Sequence, residues 1–287
     1  MRVVALERPV NLALGERRVD VSTRCLVMGI LNRTKDSFFA PAATYELDDF
    51  FRRAEQLVAE GADLLDVGGV KAGPGDEVSE SEELDRVVPV LSELARRFDV
   101  PLSVDTWRAS VAKESFAVGA CVGNDISGFA DPNYLPAAAA AGATVVATHI
   151  RLRPRVADPE PHYEDVTRSV RDFLLERRQW ALDAGLSPEQ VIVDAGLDLG
   201  KTPAHSLELL RHSEQLANLG APLLLSASNK TFLGVLFDQS VTERRESSLA
   251  ATALGILGGC RIVRVHDVAG TVRVRNTLAT LLERATS

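Results

Sequence analysis

The sequence predicts a single α/β domain, a closed (β/α)8 barrel preceded by a short N-terminal β-hairpin. Three observations predict it. Eight short apolar runs alternate with longer amphipathic stretches from about residue 25 to the end, and no hairpin signal separates the middle runs, so their strands should be parallel. The length of 287 residues fits one such barrel, whose usual size is roughly 250 residues.

Residues 1–22 form the hairpin segment: within Val10–Ser22, a Gly15-Glu16 turn joins two strand-like arms placed to plug the barrel floor. The apolar runs are Cys25–Leu31, Leu64–Val67, Leu102–Val104, Cys121–Val122, Thr144–Ala147, Val191–Val193, Leu223–Leu225 and Ile262–Val265. Between them lie helical patterns such as Asp48–Glu60, Glu82–Arg97, Ser110–Val118, Val166–Ala184 and Ser206–Leu219. Gly61, Gly119, Gly142, Gly185 and Gly220 stand where helix C-terminal caps are needed. The Pro-rich stretch Arg151–Pro161 reads as a loop, and with no linker or low-complexity region the whole of 1–287 reads as one domain.

Composition narrows the function. A chain with 46% hydrophobic and 25% charged residues is not a disordered tail. The net charge of −8 offers no global positive field, so neither nucleic acid nor a membrane surface is an expected partner. Cys25, Cys121 and Cys260 are far apart and in no CxxC pair, which suggests neither a disulfide framework nor a zinc site. The N-terminus is charged again before a signal-type apolar segment can form, and the Ala-rich stretch Tyr134–Thr148 is too short to span a bilayer. A cytoplasmic protein is expected.

The ends of the runs are more specific. They carry Asn32, Asp66, Asp105, Asn124-Asp125, His149, Asp194, Ser226 with Ser228, and Arg264-Val265-His266-Asp267. In a barrel these are the C-terminal strand ends, the face where active sites sit. Solvation alone would leave a mixture of glycine and apolar residues there, so the convergence favours a polar ligand rich in heteroatoms. Asp66, Asp105 and Asp194 would repel one another if buried together, and a donor-rich ligand such as the guanidine-like edge of a pterin or purine would relieve that. The plainer reading is that some of them cap helices, Asp66 above all, or support the site from behind. A divalent metal fits less well, since oxygen ligands spread round a rim suit magnesium only when substrate phosphates help.

Gly196–Thr202 tempts a P-loop reading, but the spacing requires glycine at position 195, which is Ala195, and a nucleotide triphosphatase is rejected. Lysine is scarce: Lys35, Lys71, Lys113, Lys201 and Lys230 among 32 basic residues. All but Lys113 fall in rim loops, where a compact ammonium does work that a planar guanidinium would not. Arg264 and His266 are two apart, hence on one face of a strand, and suit an anion such as pyrophosphate, although a rim ion pair would use the same residues. Gly68–Gly75 makes a flexible loop over the mouth.

These motifs together resemble the dihydropteroate synthase family over nearly the whole chain. The carrying segments are Val27–Phe38, Gly61–Gly69, Leu102–Ala112, Asn124–Gly128, Val193–Thr202, Leu224–Lys230 and Gly259–Val268. The resemblance implies a (β/α)8 barrel, commonly homodimeric, that joins p-aminobenzoate to 6-hydroxymethyl-7,8-dihydropterin diphosphate and releases pyrophosphate with magnesium present. It implies that Asp105, Asn124, Asp194, Lys230 and Arg264 bind the pterin, and that Asn32, Lys230, Arg264 and His266 are the catalytic set, with Asn32 beside the magnesium ion. Lys35, Asp36, Ser37, Lys71, Ser228 and Asn229 fall in the loops that meet the second substrate and the diphosphate, while Asp66 and Lys201 support the set from behind.

The departures are concentrated in those loops. Gly73 stands where the family carries an arginine for pyrophosphate, Ala72 where it carries a threonine, Asn229 where it carries an arginine, and Leu199 where it carries an aromatic wall. Loss of a charge-assisted arginine contact to the leaving group is worth about 1.5–3 kcal/mol, or about one to two decades in rate. Lys71 or Lys35 could restore the charge without the fork geometry. The sequence is compatible with two readings: a divergent transferase that keeps the family's chemistry, or a paralogue that binds pterin but has lost synthase activity. A pterin-dependent methyltransferase is disfavoured because Asn32–Phe38 and Arg264–Asp267 look synthase-like.

Overall fold

Eight parallel strands close on themselves in the computed structural model, which describes residues 10–33, 43–73 and 75–284. An antiparallel hairpin comes first, β1 (Asn11–Leu14) and β2 (Arg17–Asp20), with Gly15 at positive φ in its turn. The barrel strands are β3 (Leu26–Asn32), β4 (Leu64–Gly68), β5 (Leu102–Asp105), β6 (Val122–Asp125), β7 (Thr144–Thr148), β8 (Val191–Asp194), β9 (Leu223–Leu225) and β10 (Ile262–Val265). They pair in chain order, and β10 closes the ring on β3 through Ile262–Leu26 to Val265–Gly29.

Helices fill the outer layer: α1 (Ala43–Ala59), α2 (Glu80–Arg97), α3 (Ala109–Ala117), α4 (Tyr134–Ala141), α5 (Val166–Asp183), α6 (Pro203–Arg211), α7 (Ser213–Leu216), α8 (Thr231–Phe237), α9 (Arg245–Leu257) and α10 (Val268–Arg284). Three of their starts are capped by side chains. Ser79 and Asp165 accept the backbone N–H groups of Glu82 and Arg168, and Thr202 caps α6 with Pro203 in its first turn. All five expected cap glycines take positive φ. One expected helix is corrected: Ser206–Leu219 is two helices, because the chain breaks at His212 between α6 and α7, and α6 begins three residues earlier at Pro203.

Two apolar layers hold the barrel. Outward-facing strand residues such as Val27, Leu65, Val104 and Val193 pack under the helices. Inside, Met28, Leu64, Val122, Val146, Ile192, Leu224 and Ile262 form one ring, and Leu12 and Leu14 of the hairpin seat against it. The hairpin therefore plugs the floor, as its apolar arm predicts, and Thr144 Oγ1 ties it by donating to the Ala13 carbonyl. Among the described residues no helix is long and apolar enough to cross a membrane.

Candidate functional site

Side chains alternate along a strand, so residues two positions beyond the apolar ring also point inward. They are Ile30, Asp66, Asn124, Thr148, Asp194, Ser226 and Arg264. The interior turns polar within one pleat, at the C-terminal end of the barrel, and this step builds the candidate site.

Arg264 is its centre. Its Nε donates to Asp66 Oδ2 at 2.6 Å and its Nη2 to Asp105 Oδ2 at 2.7 Å. Asp66, wholly buried, also accepts from Ser103 Oγ at 2.5 Å and from Asn124 Nδ2 at 3.2 Å. Asp66 is thus neither a helix cap nor a direct ligand group with free oxygens; it fixes Arg264 and Asn124. Burial works against the charge of Arg264, yet Asp66 and Asp105 outweigh it and raise its pKa. Burial pushes the Asp105 carboxyl up to about 7 against the pull of Arg264. Asp194 is also raised by burial, and its Oδ1 accepts from the Gly196 N–H at 2.8 Å.

Asn32 ends β3 in an exposed position beside Gly68 and Asp105: a Cβ added at Gly68 would lie 3.7 Å from Asn32 Oδ1 and 3.4 Å from Asp105 Cβ. Lys230 donates to the Leu197 carbonyl at 3.1 Å, and burial lowers its pKa while Asp198 and Asp194 oppose that. Ser228 Oγ lies 3.0 Å from His266 Nδ1 and accepts the His266 N–H at 3.2 Å. Burial, with Arg264, Arg53 and Lys230 nearby, lowers the His266 pKa to about 4, so the ring is neutral near pH 7. Asn229 takes a left-handed φ of 59°, and its N–H donates to Ser248 Oγ at 3.0 Å. Lys71 is exposed in the loop after β4, where Ala72 and Gly73 come next. Lys35, Asp36 and Ser37 lie outside the described residues.

Lys201 is not at the mouth as a free charge. Its buried ammonium donates to the carbonyls of Gly196 (2.8 Å), Leu199 (3.0 Å) and His149 (3.3 Å) and meets His149 Nδ1 at 2.8 Å. Burial brings its pKa to about 7 and that of His149 to about 2. The pair knots the loops after β7 and β8 together. Gly196 makes that approach possible, since a Cβ there would come within 1.9 Å of the His149 carbonyl oxygen. Asp125 likewise turns to the backbone, accepting from Ser127 and Phe129 N–H groups.

Sequence reasoning missed Ser103, whose only signal is its place two residues before Asp105 in a strand of otherwise apolar residues. It also missed the salt-bridged Glu83, buried under the loop after β4 and paired with Arg108. Among the described residues no group of three or more His, Cys, Asp or Glu side chains could hold a metal ion.

A mouth lined by acids, an amide and one guanidinium, with no metal cage of its own among the described residues, is built for a nitrogen-rich heterocycle. The family model described as pterin binding enzyme matches residues 28–266. The chain belongs to the pterin-binding enzyme family. Within that family it is 42% identical over 264 residues to a protein named inactive dihydropteroate synthase 2 from Mycobacterium leprae, covering 90% of this chain and 91% of that one. It is 38% identical over 246 residues to the dihydropteroate synthase of Haemophilus influenzae, covering 85% and 90%. Its fold matches the Yersinia pestis dihydropteroate synthase in a sulfonamide drug complex with a TM-score of 0.88 and 37% identity, covering 95% of this chain and 99% of that one. The Xanthomonas albilineans dihydropteroate synthase with 4-aminobenzoic acid gives the same TM-score at 35% identity, covering 96% and 98%. Membership thus joins this chain both to synthases and to relatives named as inactive.

Proposed function

We propose that the chain is a dihydropteroate synthase-type transferase, which condenses 6-hydroxymethyl-7,8-dihydropterin diphosphate with p-aminobenzoate or a related arylamine and releases pyrophosphate. The observation that carries this reading is the inward polar layer, in which Arg264 spans Asp66 and Asp105 beside Asn124 and Asp194. Carboxylates at 105 and 194 accept the ring N–H donors, and Asn124 offers an amide that both gives and takes. The C–O bond to the diphosphate breaks as the electron-rich ring stabilises the methylene cation. The arylamine nitrogen then forms the new C–N bond and loses its proton. The side chains hold the ring and leaving group in line and keep charge where it develops, as the charge of Arg264 allows.

Magnesium fits only as a cation carried by the diphosphate, because Asn32 supplies a single exposed amide oxygen and no acidic cage accompanies it among the described residues. Bound there, it would neutralise the leaving group. Three free cysteines, two of them buried, suit a cytoplasmic protein. Exposed apolar side chains on α8, Val235 and Phe237, suit a homodimer, which sedimentation would test.

A second reading has its own observation: Gly73, Ala72 and Asn229 replace the family's diphosphate and arylamine contacts while the pterin layer is intact, and a 42% identical relative is named inactive. It is a pterin binder without synthase activity. Incubation with the pterin diphosphate, magnesium and p-aminobenzoate separates the two. Pyrophosphate release supports the transferase; calorimetric pterin binding with no release for any arylamine leaves the binder; no pterin binding overturns both.

A further inference from the structure

Arg155 gives its hydrogen bonds to a single loop. It lies in the connection between β7 and α5, yet its backbone N–H donates to the Ala72 carbonyl at 3.1 Å, its Nη1 to the Lys71 carbonyl at 3.0 Å, and its Nη2 to the Asp76 carbonyl. Gly75 makes room, since a Cβ there would stand 3.1 Å from Arg155 Nη2. The ends of the same loop are pinned by two other arginines: Arg86 Nη1 donates to the Gly69 carbonyl at 2.6 Å, and Arg108 Nη2 to the Val78 carbonyl at 2.6 Å. Those two belong to the α2 and α3 flank, beside β4. Arg155 comes from β7, and the strands between β4 and β7 in the barrel are β5 and β6, which carry Asp105 and Asn124. The contact therefore joins the two sides of the rim that holds those ring-binding groups.

We propose that Arg155 is a positioning residue that sets the shape of the loop after β4, and with it the recess for the second substrate. The recess, about 270 Å³, lies between the two joined loops and is lined by Ala72, Gly73, Leu152, Leu199 and Lys201 among others. Because the guanidinium binds main-chain carbonyls, it holds the loop whatever side chains stand at 70–73, which is how a loop with Lys71, Ala72 and Gly73 in it can still be preorganised. Lysine could not replace it, since one ammonium lacks the fork that reaches two carbonyls five residues apart. Arg155 also sits at φ 66°, a conformation that glycine adopts freely and arginine does not. Arginine at position 155 therefore adds its guanidinium to the backbone N–H that any residue would offer Ala72, at the expense of local backbone strain.

That strain gives the test. Arg155→Gly relaxes the backbone while removing the clamp, and Arg155→Lys keeps the charge while removing the fork. Hydrogen exchange without any ligand reads the loop amides, and calorimetry reads 6-hydroxymethylpterin, then p-aminobenzoate added to protein saturated with that pterin and pyrophosphate. Both variants should exchange the amides of residues 70–73 and 75–77 about tenfold faster or more, bind the pterin within about twofold of the native chain, and bind p-aminobenzoate about tenfold more weakly. Gly75→Ala should shift the same amides by pressing on the guanidinium. Unchanged exchange in Arg155→Gly overturns the clamp. Faster exchange with unaltered p-aminobenzoate affinity, or a native chain that binds no p-aminobenzoate, overturns the role in the second-substrate recess. The recess assignment rests on the transferase reading, whereas the exchange measurement needs no ligand, so loss of pterin binding by the native chain would refute that reading and leave the clamp standing.

Discussion

Arg264 reaches Asp66 and Asp105 with two different nitrogens, and so converts a pair of buried like charges into one fixed unit. Asp66 is wholly buried, and Ser103 and Asn124 donate to it as well, one to each oxygen. The unit explains how a barrel interior that is apolar at Ile262 can hold charge two residues later.

Arg264→Ala should therefore cost far more than a surface ion pair. Removing the guanidinium leaves a carboxylate at 66 with no counter-charge in a dry interior, a change worth about 3–5 kcal/mol. Urea denaturation should show that loss, and Arg264→Lys should recover only part of it because one ammonium cannot span both carboxylates. Ser103→Ala, which removes one of several bonds to Asp66, should cost about 1 kcal/mol. Equal effects for the two alanine variants would contradict the arrangement.

Asp105 sets a pH dependence with two signs. Burial raises its folded pKa to about 7 from 3.8, so folding favours the protonated carboxyl. Its contribution to stability is fully present below about pH 4 and is lost as pH rises through about 7. Pterin binding runs the other way, because ring N–H donors pair with the ionised form: affinity should improve from pH 6 to 8, by up to tenfold for each pH unit below about 7. Asp105→Asn should flatten both curves. The stability difference between native and Asp105→Asn protein isolates this group from Asp125, whose carboxyl burial also raises, to about 6.

Gly73→Arg offers a gain rather than a loss. A Cβ at 73 meets nothing within 4 Å, and the residue is not at positive φ, so an arginine fits without strain among the described residues. It would stand where the resemblance places the family's diphosphate arginine. Affinity for the pterin diphosphate should rise about tenfold or more, corresponding to about 1.5–3 kcal/mol for a charge-assisted bond. Affinity for the pterin lacking the diphosphate should not change. Calorimetry with the two ligands compares them directly, and equal gains for both would locate the arginine elsewhere.

The fold and the acid floor were legible because each rests on a short-range pattern. Polar residues end the apolar runs at Asp66, Asn124, Asp194 and Arg264, and glycines mark the turns before β4, β6, β7, β8 and β9. Partnerships were not legible. Nothing in sequence joins Arg264 to residues 198 and 159 positions away. Arg155 was invisible for a further reason: its partners, 84 and 79 residues distant, are carbonyl groups and place no requirement on residue type. The burial of Lys201 was not legible either, because a lysine in a loop carries no mark of it; the carbonyls that surround it come from the turn Gly196–Leu199 and from His149. The break at His212 escaped notice because the apolar pattern continues through it.

His266 should take up a proton when an anion binds. In the free protein burial, reinforced by Arg264, Arg53 and Lys230, holds its pKa to about 4, and Ser228 pairs with Nδ1. A diphosphate placed against those cations supplies the missing negative charge, which favours the imidazolium and raises the pKa. At a pH between the free and bound values, binding must then be accompanied by proton uptake. Calorimetric titration of pyrophosphate at pH 6, in buffers of different ionisation enthalpy, measures that uptake directly. The native protein should take up a fraction of a proton beyond that of the ligand itself, and pyrophosphate affinity should strengthen as pH falls, opposite to the pterin trend set by Asp105. His266→Asn should abolish the excess uptake while keeping a hydrogen-bonding group near Ser228. Uptake of the same size in His266→Asn would assign the proton to another group and remove His266 from the anion's surroundings.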